Sequence, residues 1–242
     1  MAALSGRTRG GAKTTSESPR ALIVMNETLG NLVGLTLQHG QYEIRRTTDP
    51  QECRALLTDW VPHLAFIDLD LYEAFIDIVG RGLTHGHTPI VAFTRRRDTA
   101  LKLSAYERGA DDILEVPFTL DEIVARPFAL MRRAHGIGVT IVPKIKLDGL
   151  EVDLIEQRVS VAGRVLHLTP IQQTLLYLLA ANAGKALSRE DLLSTIWGGD
   201  SDIESNTLDA FVRLLRGKLE VSREAKLIQT MRGVGYSLRA GD

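Results

Sequence analysis

Four short apolar runs, ALIVM from Ala21, HLAFIDL from His63, PIVAFT from Pro89 and DDILEV from Asp111, restrict what the first half of this chain can become. Each is separated from the next by a helix-like stretch. Strands and helices alternating at this spacing imply a parallel sheet with helices on both faces, a doubly wound α/β domain. Sites in such folds collect at the carboxyl ends of the strands. Those ends fall at Met25, Asn26 and Glu27, at Asp68, at Thr94 and at Val116. Residues 1–18, rich in Gly, Ser, Thr and Arg, are expected to form a mobile tail.

The second half is constrained by residues 228–236, IQTMRGVGY. Gly233 and Gly235 permit positive φ and hence a tight reversal, which puts Arg232 at the tip of a β-hairpin. Thr230 and Tyr236 would offer hydroxyls to phosphates on either side of the turn. Upstream, NTLDAFVRLLRGKL from Asn206 sets Leu208, Val212, Leu215 and Leu219 at a helical period with one buried stripe. Arg213 and Arg216 fall off that stripe. A basic helix followed by an arginine-tipped hairpin reads as a DNA-binding wing.

At 242 residues and 44% hydrophobic content the chain can build two domain cores. No apolar run approaches the ~20 residues that span a bilayer, and the first residues lack the apolar core of a signal peptide. A cytoplasmic protein without a membrane partner is expected. Cys53 is the one cysteine, so no internal disulfide can form, and its setting in DPQECRALL predicts a packed thiol on a helix. His85 and His87 have the spacing of a crude metal pair, but no third ligand is near in sequence, and a surface loop is the plainer reading. The net charge of −1 does not announce a nucleic-acid binder. Distribution does more: residues 213–239 hold seven basic side chains against two acidic ones, a local excess that a DNA backbone would select, although a solvated helix face gives the same pattern.

The ordered run LTPIQQTLLYLLAANAGKALSREDLLSTIWG, then the basic helix, then TMRGVGY, resembles the winged-helix effector domain of OmpR/PhoB-type bacterial response regulators. The resemblance covers about residues 144–240 and rests on several spaced motifs in order. It implies an α+β winged helix-turn-helix domain at 144–242, with the helix from Asn206 in the major groove and Arg232 in the minor groove. Arg213 and Arg216 would read or position the major groove, and Thr207, Thr230 and Tyr236 would contact phosphate. The family usually carries Arg where Leu214 stands and often Lys where Gly217 stands. Leu214 can still meet a thymine methyl, which would shift sequence preference. Residues 197–204 match the loop that in the family often faces RNA polymerase.

Residues 19–136 resemble the family's receiver domain, a doubly wound parallel five-stranded sheet, joined to the effector by a linker at 137–143. Asp68 matches the phosphoacceptor, Thr94 the switch hydroxyl, and GADDILEVPF the run that closes the domain. The resemblance implies an acidic pair after the first strand to hold Mg²⁺ and a Lys before Pro-Phe to neutralise the phosphoryl group. Here Met25 and Asn26 stand for the acids and Val116 for the Lys. Phosphoryl transfer depends on cations placed around the phosphoryl oxygens, and each lost charge contact of this kind costs about 3 kcal/mol, a factor of ~100 in rate. A degenerate pocket of Asp68, Asn26, Glu27, Thr94 and Val116, needing no cofactor and no bound metal, is therefore expected. A weaker cation site from Asp68, Asp70, Glu27 and Asn26 is the alternative. Arg95, Arg96 and Arg97 follow Thr94. The ordinary reading is three solvated arginines; the other has Arg95 turned inward as a permanent counter-charge to Asp68.

Active receivers of this family dimerise through the fourth helix, fifth strand and fifth helix. The matching pairs, Lys102 with Glu122, Asp112 with Arg126 and Asp111 with Arg133, carry the expected signs, while Pro127 removes a hydrogen bond from the fifth helix. The expectation is a non-enzymatic, sequence-specific transcription regulator that forms a homodimer without aspartyl phosphorylation, binds double-stranded DNA and meets RNA polymerase, with little dependence on a histidine kinase. The alternatives are a conventional switch phosphorylated on Asp68 and a regulator whose widened receiver pocket senses a small ligand.

Overall fold

The structure is a computed structural model and describes residues 18–38, 42–81, 87–136, 144–147, 150–153, 158–161, 163–198, 205–219 and 227–239. The expected tail, apart from residue 18, and the expected linker at 137–143 lie outside these residues, as does His85.

Five parallel strands form the first sheet: β1 (Arg20–Val24), β2 (Glu43–Arg46), β3 (Leu64–Asp68), β4 (Ile90–Thr94) and β5 (Asp112–Glu115), in the order β2-β1-β3-β4-β5. Every residue of β3 and β4 is buried, as continuous apolar runs require when both faces are covered by helices. β2, with the sequence EIRR, is mostly exposed. It is an edge strand, and its charged residues hid it from a search for apolar runs while protecting the edge from further pairing.

The helices α1 (Glu27–Gln38), α2 (Pro50–Ala55), α3 (Leu69–Tyr72), α4 (Phe75–Arg81), α5 (Thr99–Glu107) and α6 (Leu120–His135) cover this sheet. Several starts are fixed locally. Asp49 accepts from the amides of Gln51 and Glu52 with Pro50 at the first helical position, and Asp98 accepts from Ala100 and Leu101. Glu122 accepts from the amide of Thr119 at 3.1 Å, the reciprocal half of a capping box. α6 runs through Pro127 to His135, so the proline does not end the helix. Cys53 is fully buried on α2, and burial pushes its thiol up to about 11. A packed, unreactive thiol is the result.

The second half opens with an antiparallel meander, β6 (Lys144–Leu147), β7 (Leu150–Asp153), β8 (Arg158–Val161) and β9 (Arg164–Leu166). There follow α7 (Pro170–Ala181), β10 (Leu187–Ser188), α8 (Arg189–Trp197), α9 (Ser205–Leu219), β11 (Ile228–Met231) and β12 (Gly235–Leu238), with the strands ordered β10-β12-β11. α7 is buried from Thr174 to Ala180 because it packs against α1, α8, α9 and β12 together. The two halves meet where α1 lies on α7 and α8, and one continuous apolar core joins Leu29, Leu32 and Val33 to Leu175, Leu179 and Leu192. Among the described residues no helix is long and apolar enough to cross a membrane.

Candidate nucleic-acid interface and acidic pocket

α9 buries Leu208, Val212, Leu215 and Leu219 and presents Arg213 and Leu214 outward, Leu214 with 52% of its surface exposed. The wing follows from the pairing of β11 with β12 in the register Ile228 to Leu238 and Met231 to Gly235, which leaves Arg232 exposed in the turn. Gly233 has φ +74 and supplies the left-handed residue that the reversal needs. Gly235 serves otherwise. A Cβ there would come within 2.0 Å of the Leu187 carbonyl, so glycine is required for the close pairing of β12 with β10 rather than for positive φ.

Two expected DNA contacts have other partners. Arg216 donates through Nε and Nη2 to the Ile228 carbonyl at 3.1 and 2.9 Å and through Nη2 to Thr230 Oγ1 at 2.8 Å. It ties the helix to the base of the wing instead of projecting into a groove. Tyr236 is buried and its hydroxyl donates to Asp209. Burial, then that hydrogen bond and the charge of Asp209, raise the phenol above its ordinary value, against smaller opposing effects of Arg189 and Arg216. A hydroxyl so held is not offered to phosphate. The local charge excess shrinks too, because Lys218 donates to the His167 carbonyl and Gln172 Oε1 at 2.6 and 2.8 Å, and residues 223 and 226 lie outside the described residues. Thr230 remains exposed and Thr207 half-buried. At the start of the segment compared with a polymerase-facing loop, Trp197 packs on Phe211 with centroids 5.6 Å apart; residues 199–204 lie outside the described residues.

At the carboxyl edge of the five-stranded sheet, Asp68 ends β3 with no exposed surface, and Thr94 ends β4. Asp70 turns back to them: Thr94 Oγ1 and the Arg95 amide each donate to its carboxylate at 2.7 Å. Arg95 is the residue the pocket is built around. Its Nη1 donates to Asp68 Oδ1 at 2.6 Å and to Asp70 Oδ2 at 3.2 Å, its Nε donates to the Thr195 carbonyl at 2.9 Å, and only 3% of its side chain is exposed. Burial opposes the charge on this guanidinium, but the hydrogen bonds and charges of Asp68 and Asp70 outweigh it and hold the group above the ordinary arginine range. The solvated reading therefore holds for Arg96, which pairs with Asp98 at an exposed site, and fails for Arg95.

Asn26 and Glu27 do not belong to this pocket. Asn26 Oδ1 accepts from the Leu29 amide at 2.9 Å and so starts α1, while Glu27 pairs with Lys185 at 2.6 Å, a contact that lowers its pKa. Met25 and Val116 are buried apolar neighbours at the positions of an acid and a cation. The residues present do not fit a Mg²⁺ ion: the two carboxylates that would face one share a guanidinium, which leaves Asp68 Oδ2 as their one oxygen without a partner, and Asn26 and Glu27 bond elsewhere.

The charged residues expected at a dimer interface pair within one chain. Arg126 reaches Asp112 at 3.0 Å and Glu122 at 2.9 Å, and Lys102 reaches Glu115. Asp111 accepts from the Ile90 amide at 2.8 Å and bonds His87 at 2.8 Å. Arg133 is exposed.

Residues 163–238 match the family described as "Transcriptional regulatory protein, C terminal". The response regulator ArlR of Staphylococcus haemolyticus is 34% identical over 222 residues, which span 90% of this chain and 98% of that protein. ArlR of Staphylococcus aureus is 33% identical over 220 residues, with the same coverage of 90% and 98%. Among solved structures, the response regulator DrrB, an OmpR/PhoB homologue of Thermotoga maritima, aligns over 93% of this chain and 100% of its own with 22% identity and a TM-score of 0.42.

Proposed function

This chain belongs to the OmpR/PhoB-type response regulators, DNA-binding transcription regulators of two-component systems, and from that premise we propose that it works as a phosphorylation-independent member. Its receiver dimerises without an aspartyl phosphate, and its winged helix reads paired half-sites about one helical turn apart. The observation that carries this reading is Arg95 on Asp68 at 2.6 Å, with Asp70 on the same nitrogen. A phosphoryl group needs cations around its oxygens and an acceptor that a phosphodonor can reach. This acceptor is fully buried and already bound to a fixed cation.

On DNA, Arg213 and Leu214 face the major groove, Arg232 the minor groove, and Thr207 and Thr230 phosphates; the exposure of Arg213, Leu214, Thr230 and Arg232 supports these roles. Arg216 acts through the wing. The dimer uses α5, β5 and α6, where Leu103 and Tyr106 are 59% and 46% exposed and where the Asp112–Arg126, Lys102–Glu122 and Asp111–Arg133 pairs can re-form across a two-fold axis. The protein acts in the cytoplasm on double-stranded DNA and with RNA polymerase, and a histidine kinase is not needed.

The test is a titration of the full chain with beryllofluoride and Mg²⁺, followed by DNA binding with and without a small phosphodonor. Neither reagent should change dimerisation or affinity by more than about twofold, ~0.4 kcal/mol. A tenfold gain in DNA affinity with the phosphodonor would restore the conventional switch. A melting shift caused by a small molecule co-purifying with the chain would favour the ligand-sensing alternative.

A further inference from the structure

In open α/β sheets the ligand sits outside the carboxyl ends of the strands. Here the loops after β1, β4 and β5 touch the winged-helix half. After β1, Glu27 pairs with Lys185 at 2.6 Å. After β4, Arg95 donates to the Thr195 carbonyl at 2.9 Å. After β5, the Phe118 carbonyl accepts from Thr174 Oγ1 at 3.0 Å. β3 joins through Asp68, which holds the same arginine. Beside the edge, Asn182 is buried between the halves: its Nδ2 donates to the Thr28 carbonyl at 3.3 Å and its Oδ1 accepts from Asn31 at 2.7 Å.

We propose that the acidic pocket of the receiver is an intramolecular docking site whose ligand is the carboxyl end of α8, with Arg95 as the clasp between them. The proposal rests on the reading that Arg95, and not a phosphoryl group, occupies the pocket. The last carbonyls of a helix lack intrahelical donors and carry the negative end of its dipole, so a cation placed there is favoured. In α8 the Ser194 carbonyl accepts from the Gly198 amide at 3.0 Å, and the next one, Thr195, accepts from Arg95. Gly198 ends α8 at φ +77, a conformation that favours glycine, and sits against the Arg95 side chain, where a Cβ would meet Arg95 Cβ at an ordinary contact distance of 3.4 Å.

Arginine is suited to this task because Nη1 and Nε of its fork reach two carboxylates and a carbonyl at once, whereas a lysine ammonium is a single point. Docking leaves Arg213, Leu214 and Arg232 exposed. The clasp therefore fixes the DNA-reading surface relative to the receiver without covering it, and a dimer of such chains would present two wings at one set separation.

Hydrogen exchange on the full chain tests this with three variants. Arg95→Lys keeps a cation for Asp68 and Asp70 but loses the reach to Thr195. Arg95→Ala removes both, and Thr174→Val opens the seam without touching the pocket. Amides of α1, α7 and α8 that face the seam should exchange at least about tenfold faster in all three, while the centre of the five-stranded sheet in Arg95→Lys exchanges at the parent rate. Parent-like exchange at the seam in Arg95→Lys overturns the clasp, and in that variant the comparison does not depend on a charge-depleted pocket that fails to fold. A parent protein that gains DNA affinity with a phosphodonor defeats the proposed function instead, because the seam measurement is made without one.

Discussion

The hydroxyl of Tyr236 in the wing donates to Asp209 on α9, and Arg189 of α8 lies 4.9 Å over the same ring. Arg216 completes the bracket from the other side by bonding the Ile228 carbonyl and Thr230. Helix and wing are thus locked in register by half-buried and exposed polar contacts, and the residues left to meet DNA are those outside the lock.

This bracket predicts an alkaline signature. Burial, the bond to Asp209 and its charge raise the Tyr236 pKa above the unfolded value near ~10. A group whose folded pKa is raised gives its full stability below the unfolded pKa and loses it as pH climbs toward the folded one. The melting temperature of the parent should therefore fall more steeply above pH ~10 than that of Tyr236→Phe, which has no proton to lose. Parallel slopes in the two proteins would mean that another group governs the alkaline transition.

Arg232 and Arg216 should separate in mutagenesis although both are basic and close in sequence. Arg232→Ala removes an exposed side chain, so DNA binding weakens by about 1 to 3 kcal/mol with an unchanged melting temperature. Arg216→Ala leaves the Ile228 carbonyl without its donor, so the effector loses about 1 to 3 kcal/mol of stability as well. Calorimetry with a DNA titration at two salt concentrations distinguishes them; equal stability of both variants would return Arg216 to the groove. Leu214→Arg should change the sequences recovered in a binding-site selection and leave the melt alone.

The two domain classes were legible because they rest on period: apolar runs for the buried strands and a repeat of three and four for α9. β2 escaped since EIRR has no apolar run, and the β6–β9 meander escaped because KIKL, LEVD and RVSV alternate over only four residues each, too few to set a period. The site was legible in kind but not in wiring. Sequence placed Asp68, Thr94 and Val116 at one edge, yet nothing local says that Arg95 rather than Arg96 turns inward, because its third partner, Thr195, is one hundred residues away. Tyr236 and Arg216 were misplaced for the same reason: side-chain direction depends on partners distant in sequence, whereas burial stripes depend on neighbours.

Asp68→Asn follows from that wiring. Removing one partner from a buried ion pair costs about 3 to 5 kcal/mol, but Asp70 stays on the same guanidinium, so the loss should be smaller. A lower urea midpoint with an unchanged slope is expected. Below the transition, DNA affinity should remain within about threefold of the parent, ~0.6 kcal/mol, since the acceptor contributes structure and not a switch. Abolished binding in a protein that is still folded would show that the carboxylate itself governs DNA recognition.

The last prediction concerns Arg126, which pairs with Asp112 and Glu122 of its own chain although the proposed dimer needs it to face a second copy. Burial opposes the charge on Arg126, but Asp112 and Glu122 hold the guanidinium above the ordinary arginine range, so the side chain has a satisfied alternative in the monomer. A single charge reversal cannot separate the two cases. Arg126→Asp puts like charges together within a chain and across an axis alike, and Asp112→Arg does the same with the opposite sign. Mixing the two variants does separate them. In a mixed dimer each axis contact joins an acid to a base, while the repulsion inside each chain persists. If the pair works across the axis, each variant alone should sediment as a monomer at concentrations where the parent is dimeric, and the mixture should recover dimer, more strongly at low salt than at high. Persistent monomer in the mixture would confine the Asp112–Arg126 pair to one chain, and dimer in each variant alone would move the contact to the exposed Leu103 and Tyr106 of α5.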